Sequence, residues 1–124
     1  MFNRDEIEFT VEIMPEDLPI EGNCMASGDD EFDRECEQNI QRDLESGNPW
    51  AWCIVRVGAS HPKLPGIEGT DYLGCCSYAS EDDFKAGGYF DDMCESAYQD
   101  LCDTASLLMR SMQSLAEQDE PDDE

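Results

Sequence analysis

WAWCIVRV, residues 50–57, has an apolar side chain at every position except Arg56. A short run that is apolar on both faces and rich in aromatic and β-branched residues belongs in the middle of a sheet. The rest of the fold is read outward from it. Upstream, EIEFTVEI (residues 6–13) alternates with period two: Ile7, Phe9, Val11 and Ile13 share one face, and Glu6, Glu8, Thr10 and Glu12 the other. That is a half-buried strand with an acidic outer face. MPEDLPIEGNCMA, with Pro15, Pro19 and Gly22, follows as a loop. From Asp29 to Ser46, Phe32, Cys36, Ile40 and Leu44 recur every four residues, a narrow apolar stripe on a helix. Ser27 or Asp29 can cap its start, and Gly47 and Pro49 in SGNP end it.

Downstream of the central strand, GASHPKLPGIEG is a loop longer than a tight hairpin needs, and TDYLGCCSY reads as a third strand with Gly74 as a bulge or a point of close contact. SEDDFKAGGYF is turn-like. Met93, Ala97, Tyr98, Leu101, Ala105, Leu108, Met112 and Leu115 then mark a long amphipathic helix. The order β-α-β-β-α predicts an α+β domain over residues 1–116, a three-stranded sheet with two helices on one face, followed by a frayed acidic tail over 117–124. Two strand arrangements stay open: a right-handed parallel crossover from the first strand to the second, or the first strand antiparallel beside the third. Trp50, Trp52, Tyr72 and Tyr78 pack the core or, on an uncovered sheet face, form an aromatic contact patch.

Charge sets this chain apart from an ordinary domain. Its 124 residues hold 31 Asp and Glu against 7 Lys and Arg, a net charge of −24. Such a balance repels DNA, RNA and anionic membranes, so the expected partner is a basic protein or a cation. No run approaches the ~18 apolar residues of a membrane span, and MFNRDEIEF lacks a secretory apolar segment, which predicts a cytoplasmic protein. Seven cysteines, an odd count with Cys75 and Cys76 adjacent, read as reduced small hydrophobes. Without a C-x-x-C or a histidine set, zinc is not expected, and no cofactor is.

SGDDEFDRECEQ, residues 27–38, concentrates the acid on a helix start. Asp29, Asp30 and Glu31 suit the positive end of the helix dipole. Asp33, Glu35 and Glu37 do not, because they create like-charge i,i+4 pairs 29/33, 31/35 and 33/37, each unfavourable by roughly 0.2–0.5 kcal/mol. Asp30 with Arg34 and Arg42 with Glu45 are the available local offsets. Further acids stand at Glu81, Asp82, Asp83, Asp91, Asp92 and Glu95. About 24 charges correspond to roughly 40 Å of B-DNA, close to the ~35 Å diameter of a folded chain this long. A scaffold of this size can present carboxylates where a duplex presents phosphates. The predicted contact residues are Asp29, Asp30, Glu31, Asp33, Glu35 and Glu37, with Asp82, Asp83, Asp91 and Asp92 as a second cluster. Lysine at 31, 33 and 35 is expected to abolish binding without unfolding the chain.

GNCMASGDDEFDRE, WAWCIVRV, EGTDYLGCCSY and SEDDFKAGGYFDDM resemble, over about residues 20–100, small acidic proteins carried by bacteriophages and integrated mobile elements. The resemblance transfers no catalytic or binding residue. In its acidity the chain is also similar to phage DNA mimics of the anti-CRISPR and anti-restriction kind. Together these likenesses imply a non-enzymatic inhibitor of a basic DNA- or RNA-binding host protein, such as a CRISPR effector or restriction enzyme. The alternatives are an acidic adaptor or regulator of a basic protein, and a domain acidified for high salt. A calcium loop is not indicated, since neither acidic cluster follows the D-x-[DN]-x-[DN]-G pattern. Catalysis has no signature: His61 reads as a surface loop residue, and no nucleophile has a basic partner.

Overall fold

The computed structural model describes residues 2–24 and 26–118. Strands β1 (Glu8–Pro15), β2 (Cys53–Ser60) and β3 (Glu68–Cys76) form one antiparallel sheet in the order β1-β2-β3. Helix α1 (Asp30–Glu45) interrupts the connection from β1 to β2, while α2 (Glu81–Ala86) and α3 (Gly88–Gln118) follow β3. The mixed α+β architecture and the β-α-β-β-α order are as the sequence predicts, with the last helical region split in two. The arrangement of β1 is neither of the two that the sequence left open. It lies antiparallel beside β2, in a register that sets Phe9 opposite Ala59, Val11 opposite Val57 and Ile13 opposite Val55. A register of this parity runs the apolar rows of both strands into one continuous face, whereas a one-residue slip would turn one row to the other side.

This face carries the core. Cys53, Val55, Val57 and Ala59 of β2 are buried against Met93, Ala97 and Leu101 of α3 and Phe84 of α2. Gly69 of β3, paired with Ala59 on the same face, lies so close to α3 that a Cβ there would collide with the backbone of Ala97 and Leu101. A side chain at 69 would lift the helix from the sheet. Around Phe84 the rings of Trp50, Tyr78 and Phe90 gather, with centroids 5.8, 5.1 and 5.9 Å away. The turn-like segment 80–90 is therefore helical. Ser80 caps α2 by accepting from the Asp83 N–H at 3.2 Å, and Asp83 in return accepts from the Ala79 N–H at 2.9 Å.

The covered face thus belongs to α2 and α3. Helix α1 instead packs against a single 3₁₀ turn, Pro49–Ala51, where the sequence suggested strand. Leu44 shares a hollow with Ile13–Pro15 at the end of β1, and Cys36 and Ile40 share another with Leu73–Cys76 at the end of β3. No residue of α1 is buried, and Phe32 is 48% exposed. A stripe only one residue wide covers an edge, not a face. Trp52 is buried beneath it, its indole N–H donating to the Leu18 carbonyl at 2.8 Å.

The opposite sheet face is open and polar. Across it run Glu12, Arg56 and Tyr72 as directly paired residues, and the Arg56 guanidinium also bonds Glu68. Tyr72 is exposed, unlike Trp52, so the four aromatics that the sequence placed on strands divide between surface and core, and only Tyr72 lies within a strand. His61 is the one buried polar residue among those described. It is not the surface loop residue that the sequence suggested: its Nδ1 accepts from the Lys63 N–H at 3.1 Å and its Nε2 lies 2.7 Å from Glu6. Glu6 sits in a 3₁₀ turn, Arg4–Glu6, ahead of the strand.

A bulge interrupts β3. Cys53 pairs with Cys76 and Val55 with Leu73, which leaves an extra residue at Gly74–Cys75, and Cys75 adopts φ 54°. Its N–H donates to Glu16 at 2.6 Å. None of the seven cysteines is in a disulfide. Glu117 and Gln118 complete α3; the rest of the predicted tail, residues 119–124, lies outside the described residues. No described helix is long and apolar enough to cross a membrane.

Candidate protein-binding surface

The ten predicted contact residues lie on three helices. Asp29 is the N-cap of α1, accepting from the N–H groups of Glu31 and Phe32 at 3.1 and 3.2 Å. Asp33 accepts from the Ser27 N–H and, at 2.6 Å, from its hydroxyl; Glu37 accepts from the Gly22 N–H at 3.2 Å. These three carboxylates fasten the loop before α1 to its first two turns. Lysine at 33 would therefore release that loop as well as reverse a charge, which corrects the expectation that such a variant leaves the fold intact. Asp30, Glu31 and Glu35 are exposed and have no partner among the described residues.

In the second cluster, Asp83 is the capping partner of Ser80. Asp82 stands exposed on α2, and Asp91 and Asp92 on the first turn of α3. A groove of about 550 Å³ runs between α1, the end of β3 and the start of α3, and none of the ten carboxylates lines it. Cys36, Asn39 and Ile40 line its α1 side, Tyr78 and Tyr89 the other, and Trp52 contributes to its lining. Sequence reading did not anticipate the groove, because it joins segments about fifty residues apart. A signal existed in the stripe of α1, too narrow to bury a helix.

Among the described residues, four ion pairs involve Glu95, Glu12, Glu68 and Glu81, and Glu6 meets the His61 ring. None uses any of the ten. The offsets expected from Asp30–Arg34 and Arg42–Glu45 do not form; Glu45 accepts from Gln41 instead, at 3.0 Å. Segments 29–45 and 81–103 hold 16 of the 31 acidic residues, whereas 46–67 and 104–116 hold none. Helices α1 and α2 and the first half of α3 thus carry about half of the acids, with seven more in residues 5–21 and six in 117–124.

Burial pushes the Cys24 thiol up, with Glu37 nearby adding to it, and burial likewise holds Cys94 up beside Asp91 and Cys53 at about 11. Thiols so placed stay protonated near neutral pH and are poor nucleophiles. No described group of three or more His, Cys, Asp or Glu is placed to hold a metal ion. Comparison with family models, curated proteins and solved structures found no match.

Proposed function

We propose that this chain is a non-enzymatic phage or mobile-element inhibitor that occupies the basic nucleic-acid-binding surface of a host protein, with carboxylates standing in for DNA phosphates. It acts in the host cytoplasm on a CRISPR effector, a restriction enzyme or a comparable complex. One observation carries this reading: the ten carboxylates stand on helices or at a helix cap and none forms an ion pair among the described residues, although Glu81 on α2 and Glu95 on α3 do. Fixed, unpaired charge is what steers a cationic cleft and rewards it on contact. Asp29, Asp33, Glu37 and Asp83 are themselves held by backbone hydrogen bonds, which pre-orders part of the charge.

A second reading, an acidic adaptor for a basic protein, is favoured by the aromatic lining of the groove beside α1, which suits a peptide more than it suits mimicry. Competition separates the two. Immobilised on a resin, the chain should retain nucleic-acid-binding proteins from bacterial lysate, and added duplex DNA or raised salt should release them. Retention that duplex DNA leaves unchanged overturns mimicry in favour of the adaptor.

A further inference from the structure

The last three turns of α3 serve no purpose in the fold just described. Its buried residues are Met93, Ala97, Leu101 and Ala105, and from Leu107 to Gln118 every residue is exposed. Leu108, Met112 and Leu115 continue the stripe of Leu101 and Ala105 with alternating spacings of four and three, the seam of a helix pair. Leu107, Met109, Met112 and Leu115 are each 55–60% exposed, on a helix whose earlier turns bury the same stripe against the sheet. A surface helix so apolar past its last buried side chain lacks a partner.

We propose that this overhang is a dimerisation segment and that its occupant is the same segment of a second copy. Charge is the first argument. Two chains of −24 can meet only where acid is absent, and 104–116 is one of two tracts longer than ten residues without any; the other is the central strand and its flanks. Its one charge, Arg110, lies about 200° around the helix from Leu108, away from the seam. Beside the seam stand Thr104, Met109, Ser111 and Ala116, all uncharged. Such a face has nothing to select a basic or an acidic partner and is complementary to its own kind. Area is the second argument: Leu108, Met109, Met112 and Leu115, on or beside the seam, offer roughly 400 Å² per copy, ~800 Å² in total, the size of a weak, reversible interface.

Sedimentation equilibrium on the full chain tests this at about 0.1 M and about 1 M salt, where the Debye length falls from ~10 to ~3 Å. The expected mass is twice the 14.0 kDa of the chain. Association should tighten at the higher salt, the reverse of the salt response of binding to a basic host protein, so either can fail without the other. Leu108→Glu and Met112→Glu, neither of which touches the core, should each weaken the dimer at least about tenfold. Gln113→Glu adds the same charge off the seam and should keep the dimer. A chain that stays monomeric at both salt concentrations, or a dimer that survives the Leu108→Glu/Met112→Glu double variant, overturns the proposal.

Discussion

Glu16 reaches across from the end of β1 to hold the bulge of β3, and its carboxylate receives the N–H groups of both Cys75 and Leu18. Chiefly because of the Cys75 bond, its pKa lies below the ordinary glutamate value of 4.5. A depressed carboxylate pKa stabilises the fold fully above the unfolded value and loses that contribution as pH falls through the folded one. Glu16→Gln should therefore lower stability near neutral pH by a few tenths of a kcal/mol, the ~1 kcal/mol of such a hydrogen bond being discounted for solvent screening, with the gap closing in acid. Urea midpoints of both chains at about pH 7 and about pH 3 measure it, and an equal gap at both would mean that charge does not hold the bulge. Sequence could mark Gly74 as a bulge or a point of close contact, the two common reasons for a glycine inside a strand, but not which of them. Gly69 and Glu16 were not legible. A period of two does not say which glycine faces a helix, and Glu16 sits in a proline-bearing loop whose path only the fold determines.

Helix α1 shows how much of an element can be read from its own residues. Its bounds, its cap at Asp29 and its stop at Gly47 follow from local chemistry, and Gly47 has the positive φ, 104°, that such a stop requires. Its docking does not follow, because an i,i+4 stripe names a face and not what meets it. Helix α2 was missed for a related reason: six residues with one apolar anchor, Phe84, show no periodicity, and only the serine three residues before Asp83 signals a helix. The acids of α1 now divide by role. Neutralising Asp30, Glu31 and Glu35 together (Asp→Asn, Glu→Gln) should shift stability by less than about 0.5 kcal/mol, since lost dipole attraction offsets relieved repulsion. The same variant should lose the proteins that duplex DNA displaces. Asp33→Ala alone should cost about 1 kcal/mol by freeing Ser27. Denaturant midpoints and resin retention on the two variants read these outcomes, and full retention by the triple variant would move the interface off α1.

For the molecule as a whole, the strand alternation, the central strand and the mixed α+β class were open to sequence, whereas strand order was not: it depends on which apolar rows join, a relation between elements and not a property of any one. Charge acts at this scale too. None of the described carboxylates is buried, and the core of Val55, Val57, Phe84, Met93, Ala97 and Leu101 is free of them, so self-repulsion works on the surface without entering the packing. Repulsion among exposed charges is long-ranged at about 10 mM salt, where the Debye length is ~30 Å, and largely screened above ~0.1 M. A chain acidified only to stay soluble in concentrated salt should lose its fold at the lower value. A mimic must keep it there, because weak screening is where steering toward a cationic cleft is strongest. The chain should therefore remain folded at about 10 mM salt, with a denaturant midpoint that rises modestly toward ~0.2 M and then levels as screening saturates. Circular dichroism through the same series reads the fold directly. Helical signal that appears only at molar salt would assign the acidity to salt adaptation and remove the ground for mimicry.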